Sequence, residues 1–67
     1  MTRLAARAEH LEPGDVIDAD GTPAHVTLVE RDRHTVAVVA DLAGGLWLRQ
    51  YPRHRMVALL RFHQAVA

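Results

Sequence analysis

The sequence has no cysteine, no serine and no lysine, and only three aromatic side chains, one each of Trp, Tyr and Phe. Without cysteine there can be no disulfide and no thiolate zinc site. That exclusion matters at 67 residues, because a chain of this size buries only about 60% of its unfolded surface. Apolar burial yields roughly 25 cal/mol per Å² and ordering costs about 1.5 kcal/mol per residue, so the two nearly cancel in small scaffolds. Tight sheet closure or self-association is expected to supply the difference. No stretch approaches the roughly 20 apolar residues of a membrane span, and the first residues carry no hydrophobic run of the signal-peptide type. The expectation is a cytoplasmic chain with no membrane partner.

What is present is Val, Leu and Ala. With 49% hydrophobic residues against three aromatics, the interior must be built from small aliphatic side chains, which suits a compact β core. Formal charge is zero, yet residues 1–41 hold four Arg and all eight acids, Glu9 to Asp41, while residues 42–67 hold four Arg and no acid. Separated charge points either to an anionic partner or to self-complementarity, unless folding mixes the two halves on one surface.

Short apolar runs are interrupted by Pro, Gly, Asp and His, the pattern of several strands joined by tight turns. "RLAAR" (3–7) reads as a first strand, although its Ala and Leu would equally suit a helical turn. "EPGD" (12–15) is a turn, with Pro13 setting φ and Gly14 free to take φ > 0, and "DADGTP" (18–23) is a second turn around an Asp-Gly pair. "AHVTLVER" (24–31) alternates, and Ala24, Val26 and Leu28 are expected to point inward. "TVAVVAD" (35–41) follows, with Val36, Val38 and Ala40 on one face, then the "LAGG" turn (42–45), the strand "LWLRQY" (46–51) and "MVALLRF" (56–62). In this last segment Met56, Leu59, Leu60 and His63 also fit helical spacing, so strand and short C-terminal helix both stay open. Residues 1–67 are expected to form one all-β domain, a small five- to six-stranded SH3-like barrel.

The stretch "AEHLEPGDVIDADGTPAHVTLVER" (8–31) resembles small SH3-like β-barrel proteins of actinobacteria and their phages, mostly of unassigned function. It shares with them an apolar residue, Pro-Gly-Asp, two β-branched residues, a Gly turn and a V-x-x-V-E strand. The stretch is also similar to the start of Hint and intein modules. Those open on a Cys or Ser nucleophile, and this chain has neither. What the resemblance implies is a fold, not an activity.

Chemistry-bearing groups are few. Hydroxyl nucleophiles are limited to Thr2, Thr22, Thr27, Thr35 and Tyr51, with no recognisable acyl-transfer pocket, so no catalytic residue is assigned. Asp15, Asp18 and Asp20 do not follow the Asp-x-Asp-x-Asp-Gly cation loop and are expected to accept turn amides instead. His10, His25, His34, His54 and His63 lack a paired H-x-x-x-H spacing. Gly44-Gly45 reads as a hairpin turn. No metal, cofactor or small-molecule substrate is expected.

The most suggestive stretch is "LWLRQYPRHR" (46–55). In an extended strand Trp47, Arg49 and Tyr51 share one face, and Leu46, Leu48 and Gln50 the other. If the leucines point inward, Trp47, Arg49, Tyr51, Arg53, His54 and Arg55 form an aromatic and basic strip on the surface. If Trp47 fills the core, the strip reduces to a solvated loop. Trp, Tyr and Arg are the residues commonest at protein hot spots, and rings beside guanidinium groups also stack bases and hold phosphates. The favoured expectation is a non-enzymatic module that binds a protein partner or itself as a homodimer. A single-stranded or regulatory nucleic acid is the alternative partner.

Overall fold

The computed structural model describes residues 4–61. Thr2, Phe62 at the end of the 56–62 segment, His63 and the last four residues lie outside them. Strands β1 (Leu4–Arg7), β2 (Val16–Ala19), β3 (Thr22–Arg31), β4 (Thr35–Leu42), β5 (Gly45–Pro52) and β6 (Met56–Arg61) form one antiparallel sheet in the order β1-β6-β2-β3-β4-β5. A single 3₁₀ turn, Ala8–His10, follows β1. Segment 56–61 is therefore strand, with Val57 and Leu59 buried and Met56 and Leu60 exposed. Its period is two because it must sit between β1 and β2 in the sheet.

The turns form where glycine and proline direct them. Asp20 and Gly21 both take positive φ (53° and 89°), the primed two-residue turn that suits the twist of a hairpin. Asp18 Oδ1 accepts the Gly21 N–H at 2.6 Å. In the turn Glu12 to Asp15, Gly14 takes φ 99° after Pro13. The Asp15 N–H returns to the Glu12 carbonyl at 3.1 Å, and Asp15 Oδ2 accepts the Glu12 N–H at 2.8 Å. Two of the three turn aspartates thus accept turn amides, as their positions suggested. The turn that closes β4 onto β5 is Ala43-Gly44, one residue before the Gly44-Gly45 pair read from the sequence, with Gly44 at φ 91° and Gly45 already in β5.

No helix layer covers the sheet among the described residues, yet Leu11, Ile17, Ala24, Val36, Val38 and Ala40 are fully buried. The sheet covers itself by curling. Its extents, 31 × 27 × 26 Å, are nearly equal, whereas a flat sheet would have one extent on the order of 10 Å. The result is a barrel-like all-β fold whose sheet, among the described residues, is not closed and has β1 and β5 as its two edges.

The alternation in β3 breaks once. Val26 pairs with Ala40 and Leu28 with Val39, so Thr27 is an extra residue in the ladder. Ala24 and Val26 point inward as expected, but Leu28 does not. It is 48% exposed, and Val29 packs against the core instead. The bulge shifts parity by one, so Arg31 shares the inner side with Val29. There Arg31 donates from Nε to the Glu9 carbonyl (2.7 Å) and from Nη2 to the Leu11 carbonyl (2.6 Å). The same region is tied by Ala8 N–H to the Arg55 carbonyl (2.8 Å), Glu9 N–H to the Arg53 carbonyl (3.0 Å) and Arg53 N–H to the His34 carbonyl (3.1 Å). One end of the barrel is therefore pinned by hydrogen bonds rather than by a closing strand.

Candidate interaction surface

The faces of β5 follow from β4. Across the Ala43-Gly44 turn the register pairs Ala40 with Trp47, Val38 with Arg49 and Val36 with Tyr51. Since the three β4 residues are fully buried, their partners must lie on the inner side. Trp47 and Tyr51 are accordingly half-buried and packed against the core. They do not stand outside as a free aromatic strip. The leucines do: Leu46 is 79% and Leu48 70% exposed.

Arg49 shares the inner side with the two rings but reaches solvent, its guanidinium carbon 5.4 Å from the centroid of the Tyr51 ring. That is within cation–π range. Burial raises the Tyr51 pKa above 10.0, the nearby charges of Arg49 and Arg55 lower it in part, and Asp20 adds to the rise. Arg53 and His54 belong to a different group. The Glu9 side chain, 17% exposed, has His54 Nδ1 at 2.8 Å, His10 Nε2 at 3.6 Å and Arg53 Nε at 3.8 Å. Glu9 Oε2 makes no aligned hydrogen bond, so the short approach of His54 is a charge contact that depends on protonation of the ring. Arg53 Nη1 also donates to the Arg33 carbonyl at 3.2 Å. These contacts brace the β5–β6 turn against the 3₁₀ turn. They also bring the acidic first part of the chain against its basic second part.

The six residues of the sequence-based strip thus divide. Trp47, Arg49 and Tyr51 line the inner side at the open edge. Arg53 and His54 brace the turn around Glu9, and Arg55 is exposed beside them.

A different surface is continuous. On the outer side Leu28 pairs with Val39, and Val39 pairs with Leu48. An apolar row therefore crosses three adjacent strands and ends at the edge strand β5, with Leu46 next along that edge. Within the described residues no strand pairs with the far side of β5. Sequence reasoning missed this row because both faces of β5 carry apolar side chains. Counting back across the two-residue turn to the Val36, Val38, Ala40 face would have revealed it.

Elsewhere, Thr22, Pro23, His25, Asp41, Leu42 and Ala43 line a shallow recess of about 350 Å³ beside the β2–β3 and β4–β5 turns. His25 and Asp41 face each other in the ladder. Among the described residues no three His, Asp or Glu side chains are gathered to hold a metal ion, and no helix is long and apolar enough to cross a membrane. No protein-family model and no curated protein matches this chain.

Proposed function

We propose that this chain is a non-enzymatic interaction module, a small β-barrel protein that engages a protein partner or a second copy of itself. The surface it uses is the outer row Leu28, Val39 and Leu48, together with Leu46 and the open edge of β5. One observation carries the reading: exposed Leu28 and Leu48 flank the half-buried Val39 in register across three strands, and the row ends at β5, whose far side has no partner among the described residues. Single exposed leucines need no explanation, but a contiguous set does. Burying one Leu side chain contributes about 1.5–3 kcal/mol. Leu46 and Leu48 together therefore offer on the order of 3–5 kcal/mol to a partner. An unpaired edge adds main-chain hydrogen bonds. The likeness of residues 8–31 to SH3-like barrel proteins of actinobacteria and their phages fits such a module and belongs to the same proposal.

Nucleic acid is the second reading, favoured by Arg49, Arg53 and Arg55, which are all exposed. It ranks lower for two reasons. Trp47 and Tyr51 present only part of their faces for stacking, and a formal charge of zero gives little counterion-release drive.

The test is retention of host proteins by the immobilised chain, comparing the wild type with a Leu46→Asp, Leu48→Asp double variant whose far-UV spectrum is unchanged. A partner kept by the wild type and lost by the variant is the expected result. Tight binding of a single-stranded oligonucleotide at about 0.15 M ionic strength, unaffected by the double variant, would reverse the ranking.

A further inference from the structure

We infer that the occupant of the β5 edge is the β5 edge of a second copy, paired antiparallel about a two-fold axis through Leu48. The inference rests on the interaction-module reading and names its partner.

Hydrogen-bond parity comes first. In a two-residue hairpin the flanking pair, here Leu42 and Gly45, bonds to itself, and the ladder alternates from there. Trp47, Arg49 and Tyr51 therefore direct their backbone groups to β4. The Arg53 N–H, bonded to the His34 carbonyl at 3.1 Å, keeps that parity. Leu46, Leu48 and Gln50 are left with N–H and C=O on the open side. Pro52 has the same parity and no N–H to leave unpaired, the placement proline takes on an edge.

Register comes second. A two-fold axis perpendicular to the sheet sets one residue opposite itself. Centred on Arg49, it would oppose two guanidinium groups directly, which is destabilising. Centred on Trp47, the shortened overlap would leave Gln50 of each copy unpaired. Centred on Leu48, it uses the open backbone groups of Leu46, Leu48 and Gln50 in both copies. The row Leu28, Val39, Leu48 then runs on into the same row of the second copy. On the inner side each Arg49, already over Tyr51, comes opposite the second copy's Trp47, an added cation–π partner. No like charges stand directly opposite.

Charge comes third. Two chains of formal charge zero meet without net repulsion, and β5 carries one charged residue, Arg49. The contact is isologous, so it closes at two copies and does not propagate along the edge.

The experiment measures solution mass by sedimentation over a range of concentrations for the wild type and for Leu48→Lys, with fold checked by far-UV spectrum. The wild type is expected to rise towards twice the single-chain mass, and Leu48→Lys to stay at the single-chain mass throughout. Register is read by cysteine, since the chain has none of its own. With a short thiol cross-linker, Leu48→Cys alone should give a covalent dimer. Gln50→Cys alone should not, and a mixture of Leu46→Cys with Gln50→Cys should. A wild type that stays monomeric overturns the second copy as occupant, and the host-protein retention experiment above still decides the module reading separately. A dimer that survives Leu48→Lys, or cross-links through Gln50→Cys alone, overturns β5 pairing at this register.

Discussion

Removal of the Arg31 side chain is the most direct test of how this unclosed sheet holds together. Its guanidinium donates to the carbonyls of Glu9 and Leu11 at 2.7 and 2.6 Å, and these residues belong to a connection distant in sequence. A hydrogen bond from a charged donor contributes about 1.5–3 kcal/mol when buried. Arg31 is exposed and only the Leu11 contact is partly buried, so the pair together is discounted to about 2 kcal/mol. A domain of this size has on the order of 3–5 kcal/mol in all, and 1 kcal/mol moves Tm by about 4–8 °C. Arg31→Ala is thus expected to lower Tm by about 10 °C. Arg31→Lys, which keeps the charge but loses the fork, should fall between it and the wild type. Thermal unfolding followed by far-UV circular dichroism measures this, with Arg33→Ala as control, since the Arg33 side chain makes no such bond to the 3₁₀ segment. If Arg31→Ala melts with Arg33→Ala, within about 0.5 kcal/mol, the clamp contributes nothing and the barrel end is held by its backbone bonds alone.

Tyr51, the single tyrosine, can be followed by phenolate absorbance. Its raised pKa means that the folded state holds the proton longer than the unfolded state. The associated stability is therefore complete below pH 10.0 and is lost as pH climbs past it. Arg49→Gln, which removes a charge that lowers the pKa, should push the midpoint higher still. A native midpoint at or below 10.0 would contradict the half-buried placement of the ring. Gly21→Ala meets no atom within 4 Å but must hold φ at 89°. It should cost about 1–2 kcal/mol from backbone strain alone, read as a lower Tm. Gly45→Ala, equally unobstructed and without positive φ, should melt close to the wild type.

Three turns, the β4 core face and the all-β class were legible because each is written locally. Pro13-Gly14, Asp20-Gly21 and Ala43-Gly44 carry the residues their backbone angles require, and Val36, Val38 and Ala40 alternate without interruption. The outer leucine row was not legible from β5 alone, since Trp47 and Tyr51 compete with Leu46 and Leu48 for the interior. The choice was made by the neighbouring strand, through pairings fixed by a two-residue turn. Segment 56–61 was ambiguous for a similar reason. Its apolar spacing fits a helix in isolation, and the sheet's need for a strand between β1 and β2 overrides it.

The bulge at Thr27 had no signature in composition, yet it governs both the stability and the surface of this protein. Continued without it, the β3 alternation would set Leu28 inward beside Val26, and Glu30 would follow on the inner side while Arg31 turned to solvent. The clamp on Glu9 and Leu11 would be lost, and the outer row would lose its first member. With the extra residue, held by Thr27 Oγ1 donating to the Val39 carbonyl at 3.2 Å, Val29 takes the core position and Arg31 reaches the 3₁₀ segment. Leu28 then moves into line with Val39 and Leu48. The residue that lets the sheet be pinned without closing is therefore the same one that leaves an apolar row running to its open edge. The pinned end and the outer apolar row are two results of one shift in parity.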